Sequence, residues 1–217
     1  MSATNDLKLK AGADWTLATT HAFTNALADG SLSHDKMAGY LQQDYQFIDG
    51  FVRLLAATIT HAPTLRDMVP AAQFLALITG SENTYFLRNF EVLGINSNAK
   101  PMPETEAFQC LMQEARMSGR YEIMLCVLAV AEWTYLDWAS PFECKALQLP
   151  SLFGEWITLH SGMAFSEVVL YLREQLDAAW LTLDKSSKAE VERIFIKSVS
   201  LERAFFDAAW QGFGVQE

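Results

Sequence analysis

The sequence predicts an all-α protein, a single helical bundle of six to eight helices over residues 1–217. Three observations carry that prediction. Apolar residues recur at three-and-four spacing along most of the chain, the period of one helix face. Only six prolines interrupt the 217 residues. No Asn-Gly or Asp-Gly hairpin turn stands between alternating apolar runs.

The elements follow in order. The start, Met1 to Lys10, is polar and mixed in charge, with no apolar core of a signal segment. Trp15, Leu17, Ala22, Phe23, Ala26 and Leu27 predict a helix over about 13–28 that stops near Gly30. Ser33 is placed to cap a helix over 34–61, whose stripe runs through Met37, Tyr40, Leu41, Asp44, Phe47 and Ile48 and which ends before Pro63. Thr64 and Asp67 form a capping box for a segment that continues to about Leu93 and stops at Gly94. Pro70 fits that segment only in its first turn or at a kink. Residues 95–103, with Asn96, Ser97, Asn98, Pro101 and Pro103, read as a loop. Helices over about 104–118 and 121–139 follow. The second is apolar on every side, as a helix at the centre of a bundle must be. Two shorter segments, about 151–162 and 164–182, break near Gly162. Ser187 and Glu190 read as the capping box of a last helix over about 188–212. No repeat, linker or charge run divides the chain.

Composition limits what such a bundle can do. A net charge of −10 and a pI near 4.8 leave no clustered Lys/Arg track for phosphates, so no nucleic-acid partner is expected. No run of about 18 uncharged apolar residues occurs, so no membrane span is expected. The three cysteines, Cys110, Cys126 and Cys144, have no zinc spacing and are odd in number. They read as reduced thiols of a cytoplasmic protein, and Cys110 and Cys126 as small buried hydrophobes.

The motifs of cofactor chemistry are missing. There is no HExxH, CxxC or EF-hand loop, no Walker or GxGxxG phosphate cradle and no GxSxG elbow. No metal and no cofactor is expected. Of the four histidines, His34 and His61 fall at helix ends and read as solvent-facing. What remains is a set of acids placed among aromatics: Asp44 in QQDYQF, Glu132 in AVAEWTYLDWA and Glu202 in SLERAFFDAAW. A carboxylate on the apolar side of a buried helix is costly to ionise unless it is paired, so its pKa rises. Each acid alone reads as a satisfied buried group or a rim residue. Three converging in one bundle would make a site.

The segment HAFTNALADGSLSHDKMAGYLQQDYQFIDGFVRLLA, from His21 to Ala56, resembles the opening of the TenA/thiaminase II family, with its QDY core. AEWTY at 131–135 resembles that family's central helix, EWITLHSGMAF at 155–165 its penultimate segment, and LERAFFDAAW at 201–210 its last helix. The resemblance implies a haem-oxygenase-like helical bundle, a homo-oligomer (dimer or tetramer), and metal-free hydrolysis of aminopyrimidines in thiamin salvage. The departures point to a subtype. Where the thiaminase II branch carries its cysteine nucleophile, two residues before the central tryptophan, this sequence has Ala131, followed by Glu132. Family tyrosines are replaced at Phe47, Phe108 and His160. The pattern resembles a cysteine-less branch with a glutamate in the central helix. The implied substrates are amino- or formylamino-pyrimidine breakdown products of thiamin.

The resemblance also implies roles. Asp44 would hold the pyrimidine ring. Glu202 would act as general acid, and Glu132 as general base or as nucleophile in place of the thiol. Tyr45, Phe47, Tyr135 and Phe206 would form aromatic walls, with Phe108 beside them. His160 reads either as a pocket donor in place of a tyrosine or as a neutral histidine at a helix break. Three rival readings stand beside this one: a non-catalytic small-molecule binder; an oxidative haem-oxygenase-like member using His21 or His160; and a structural bundle whose acids pair with Arg53 or Arg203.

Overall fold

The computed structural model describes residues 2–213. Among these, every regular element is helical. The α-helices are α1 (Ala3–Ala11), α2 (Ala13–Thr19), α3 (Ala22–Asp29), α4 (His34–His61), α5 (Leu65–Leu77), α6 (Asn83–Leu93), α7 (Pro103–Met117), α8 (Tyr121–Ala139), α9 (Glu143–Ala146), α10 (Ser151–Leu159), α11 (Gly162–Trp180) and α12 (Lys185–Gln211). Seven of them run eleven residues or longer, within the six to eight helices expected; the other five run four to nine residues, and α1, α3 and α10 among them also pack into the core.

Most boundaries sit where local chemistry put them. Ser33 Oγ accepts from the Lys36 amide and starts α4. Thr64 Oγ1 accepts from the Asp67 amide at 3.3 Å and donates to Asp67 Oδ2 at 2.6 Å, the expected capping box of α5. Gly30 ends α3 at φ 76°, a left-handed conformation that favours glycine.

Five expectations change. The polar start is a helix, α1, because Thr4, Leu7 and Ala11 form a buried stripe at helical spacing, and Thr4 is tied to Asp177. The stretch 13–28 is two helices: the His21 ring accepts from the Phe23 amide and starts α3 afresh. The stretch 64–93 is also interrupted. Between α5 and α6 the backbone widens to a π turn over Ile78–Glu82. Pro70 lies inside α5, beyond its first turn. Finally, α12 begins three residues earlier than expected. Asp184, rather than Ser187, is its cap, accepting from the Ser187 amide at 2.8 Å, while Glu190 is drawn away into an ion pair with Arg120.

Helix α8 is the axis of the bundle. It packs against α11, α12, α4 and α7, and Met124 to Val130 are all but fully enclosed. The stretch Tyr121–Ala146 is long and apolar enough to cross a membrane, yet 78% of its most apolar window is buried by neighbouring helices. Its hydrophobicity serves the core.

That core has two lobes. One gathers the N-terminal part of α8 with α11, α7 and the first half of α12. The other gathers α3, α6, α10 and the last turns of α12. Phe47, Ile48 and Tyr135 pack against both lobes, so α4 and α8 carry the seam between them. At the edge of the second lobe α10 crosses α9 closely. A Cβ at Gly154 would lie 2.2 Å from the Ala146 carbonyl oxygen, a backbone atom that cannot step aside. Gly154→Ala is therefore expected to lower the unfolding free energy by about 3 kcal/mol, as overpacking against a fixed neighbour does. Urea denaturation followed by circular dichroism checks it.

Candidate active site

A cavity opens at the seam of the two lobes. It offers about 70 Å³ to the centre of a water-sized sphere, several times what a single buried water needs. Helical spacing explains who lines it. From α4 come Asp44, Phe47, Ile48 and Phe51, at positions i, i+3, i+4 and i+7 of one face. From α7 come Phe108 and Met112, one turn apart, and from α8 come Ala131, Glu132 and Tyr135. From α12 come Glu202 and Phe205. The π turn contributes Ile78 and Glu82, and His160, at the end of α10, completes the wall.

The three acids singled out in the sequence thus share one hollow. Asp44, Glu132 and Glu202 are all buried, at 9%, 8% and 5% exposure. Asp44 Oδ1 accepts from the Tyr135 hydroxyl at 3.3 Å. With that proton given to Asp44, Tyr135 accepts in turn from Tyr40 at 2.7 Å, and a three-member chain fixes the carboxylate. Glu132 and Glu202 form no hydrogen bond or ion pair among the described residues; their carboxyls face the hollow alone. The pairing expected of a structural bundle does not occur. Arg53 binds Asp49 on the surface, and Arg203 turns outward to Asp14 and Asp207.

Burial sets the protonation. It pushes the Asp44 pKa up to about 7, the Tyr135 hydrogen bond pulling the other way. Burial, then the neighbouring charges of Glu202 and Asp44, hold Glu132 well above the ordinary carboxylate range. Glu202 is raised by burial and then by Asp44. At neutral pH this set keeps some of its protons, so one lining offers both proton donors and proton acceptors. No three His, Cys, Asp or Glu side chains among the described residues gather closely enough to hold a metal ion. The acids surround a space and do not converge on a point.

His160 fits the reading of a neutral histidine at a helix break and corrects the reading of a pocket donor. It ends α10, as a helix break requires, and it lines the cavity. Its Nδ1 lies 2.9 Å from the Trp156 carbonyl oxygen, which only accepts, so Nδ1 carries the hydrogen. Burial lowers its pKa to about 4. The ring is therefore neutral near pH 7, and its other nitrogen is an acceptor, where a tyrosine would have supplied a donor. Packing against Tyr135, Trp156 and Phe165 fixes the ring.

Two expected wall residues lie elsewhere. Tyr45 is one position round α4 from Asp44; its ring packs on Phe86 and Phe90 and its hydroxyl donates to Asn83. Phe206 turns into the second lobe beside Phe23 and His21, and its neighbour Phe205 reaches the cavity instead, 4.9 Å from the Phe47 ring. Phe47, Phe108 and Tyr135 are in the lining as expected. His34 and His61 are exposed, as expected. Both nitrogens of His21 are engaged outside the cavity, one by the Phe23 amide and one by Asp207. Cys126 is buried, its thiol pushed up by burial, but Cys110 is exposed, on the outer side of α7.

Sequence reasoning missed Glu82. Its signal was present: Ile78, Glu82, Tyr85 and Phe86 stand at i, i+4, i+7 and i+8, an acid on an apolar stripe like Asp44. Burial, then Glu132 and Asp44, hold its carboxyl well above the ordinary range.

Comparison with known proteins matches nearly the whole chain. The sequence pattern of the TENA/THI-4/PQQC family matches residues 10–212. An aminopyrimidine aminohydrolase from Halalkalibacterium halodurans is 26% identical, over 97% of this chain and 96% of that protein. A TenA homologue from P. horikoshii OT3 superposes with a TM-score of 0.85 at 22% identity, covering 98% of this chain and all of the other. A domain with a haem-oxygenase-like fold from Shewanella denitrificans superposes with a TM-score of 0.69 at 16% identity, covering 96% and 92%.

The raised carboxyls make stability depend on pH. A folded carboxyl with a raised pKa keeps its proton where the unfolded chain has lost it, so stability falls as pH rises from the unfolded value through the folded one. For Asp44, a rise from 3.8 to about 7 makes this worth roughly 4 kcal/mol between pH 4 and pH 8. Asp44→Asn removes that dependence. Relative to the parent chain it is expected to gain stability steadily from pH 4 to pH 8 in urea titrations, and a constant difference would contradict the assignment.

Proposed function

The chain belongs to the TENA/THI-4/PQQC family, and from that premise we propose that it hydrolyses aminopyrimidine breakdown products of thiamin, as a salvage enzyme. The observation that carries the proposal is the pair of unpartnered, buried glutamates, Glu132 and Glu202, lining an aromatic hollow beside a carboxylate already fixed by Tyr135. A protein using these acids only for stability would pair them, because an unpaired buried acid costs stability.

The ring lies between the aromatic side chains of Phe47, Phe108, Tyr135 and Phe205. The Asp44 carboxylate accepts from the exocyclic amine and from the protonated ring nitrogen, two parallel donors that suit one carboxylate. Ring protonation draws electrons from the attached methylene and readies its C–N bond to break. Glu202, which keeps its proton, serves an uncharged leaving nitrogen as general acid. Glu132 takes a proton from water as the C–O bond forms. The products are the hydroxymethyl-pyrimidine and ammonia. The same groups serve an N-formyl substrate, with formamide leaving.

We assign the chain to the cysteine-less branch of the family. Support comes from Ala131, which lines the cavity where the thiol of the thiaminase II branch is expected, with Glu132 next to it. We read residues 1–217 as one domain, a reading supported by the packing of α1 against α12. Three free cysteines fit a cytoplasmic setting. Leu147, Met163 and Leu181 stand exposed on the isolated chain and suit a homo-oligomer.

The test is incubation with thiamin, an aminomethyl-pyrimidine and its N-formyl derivative, with products identified by mass. Turnover of one or both aminopyrimidines is expected. Glu132→Gln should lower kcat by about 10²–10⁴-fold, the usual contribution of a positioned general base. Unchanged turnover in that variant would remove Glu132 from the mechanism.

A further inference from the structure

We infer that Glu82 is a fourth substrate-binding acid, whose carboxylate holds the free aminomethyl group as an ammonium and makes the pocket prefer the amine over its N-formyl derivative. This rests on the hydrolase reading above and deepens it. Nothing in the family resemblance assigned a role to Glu82; it is placed by the fold. The π turn over Ile78–Glu82 admits one extra residue per turn and directs both Ile78 and Glu82 at the cavity. The residue as a whole is only partly buried, and it lines the hollow.

The chemistry of the lining says what this carboxyl meets. It shares the cavity lining with Glu132 and Asp44, the acid assigned to activate water and the acid assigned to hold the ring, and their charges are the ones it feels. No Lys or Arg lines the cavity. The free nitrogen of His160 is an acceptor. Glu132 and Glu202, more than nine-tenths buried, have no partner among the described residues. Once ionised, these acids find positive charge and N–H donors only on a ligand. A primary ammonium brings one charge and three donors. A formamide is neutral and brings one. The methylene that carries the amine is also the carbon that water attacks, so the amine must sit close to Glu132, where Glu82 is.

The reaction balances for the charged amine. The substrate R–CH2–NH3+ and water give R–CH2–OH and NH4+. The C–N electron pair leaves with nitrogen as NH3, which needs no proton from Glu202 because the ammonium already carries one; Glu202 serves as general acid for the uncharged formyl amide. The water oxygen forms the C–O bond, and the water proton passes by way of Glu132 to the released ammonia.

Two measurements test the inference. The first compares KM for the aminomethyl-pyrimidine and its N-formyl derivative in the parent protein and in Glu82→Gln. The variant is expected to raise KM for the amine at least tenfold and to change that for the formyl compound less than threefold. An equal loss on both, or no change for the amine, overturns the inference while leaving the hydrolase reading intact. The second is calorimetric titration of the unaltered protein with each compound near pH 7, in two buffers of different ionisation enthalpy. Proton release is expected with the amine, because an acid must ionise to meet the cation, and none with the formyl compound. Equal proton exchange for both overturns it. This measurement needs neither turnover nor a folded variant. If neither compound is hydrolysed, the hydrolase reading fails, and the titration still decides whether the pocket selects a cation.

Discussion

Burying carboxyl groups without a base beside them is the constraint on which this molecule turns. Asp44, Glu132 and Glu202 are withdrawn from water by helices that have every reason to be apolar. Each could have been neutralised by an arginine; Arg203 is the chain neighbour of Glu202 and yet pairs outward with Asp14 and Asp207. The cost is met in the manner open to an acid in a low-dielectric place, by keeping its proton. A group of acids whose pKa values are raised by burial, in different neighbourhoods, suits proton transfer to and from a heterocycle. What weakens the fold at high pH is also what the proposed reaction would use.

The bundle provides the place for those acids by failing to close one core. Helix α8 is enclosed along most of its length, but where it meets α4 the packing divides into two lobes, and the cavity occupies the seam. Aromatic side chains keep the gap open. Phe47 meets Phe108 and Phe205 edge to face, and Tyr135 is held between Tyr40 and Asp44 by hydrogen bonds and against Phe206 and His160 by ring contacts. Rings locked in this way cannot swing in to fill the space, so the site is formed before any ligand arrives. The π turn interrupts the helical wall, and it faces this cavity.

How much was legible from the sequence differs by scale. The long helices were, because capping and periodicity act within a few residues: Ser33 starts α4, Gly30 ends α3, and Thr64 with Asp67 starts α5. The acids Asp44, Glu132 and Glu202 were legible as misfits on apolar stripes. The exact walls were not. Phe205 and Phe206 are adjacent, and both fit the inward arc of α12; packing against Phe23 claims Phe206 and leaves Phe205 to the cavity. Tyr45 was misjudged because proximity to Asp44 along the chain is a turn of about 100° around the helix.

By itself, then, the sequence determined the long helices, the central position of α8 and which three acids stand on apolar stripes, since each depends on local spacing and on what a buried helix tolerates. Only the tertiary structure decided that those acids share one space, that His160 offers an acceptor and not a donor, and that Glu82 joins them. These depend on how helices from distant parts of the chain rotate and settle against one another. A widened turn between α5 and α6, and a ring nitrogen engaged by the Trp156 carbonyl, are settled by packing that no short window of sequence contains.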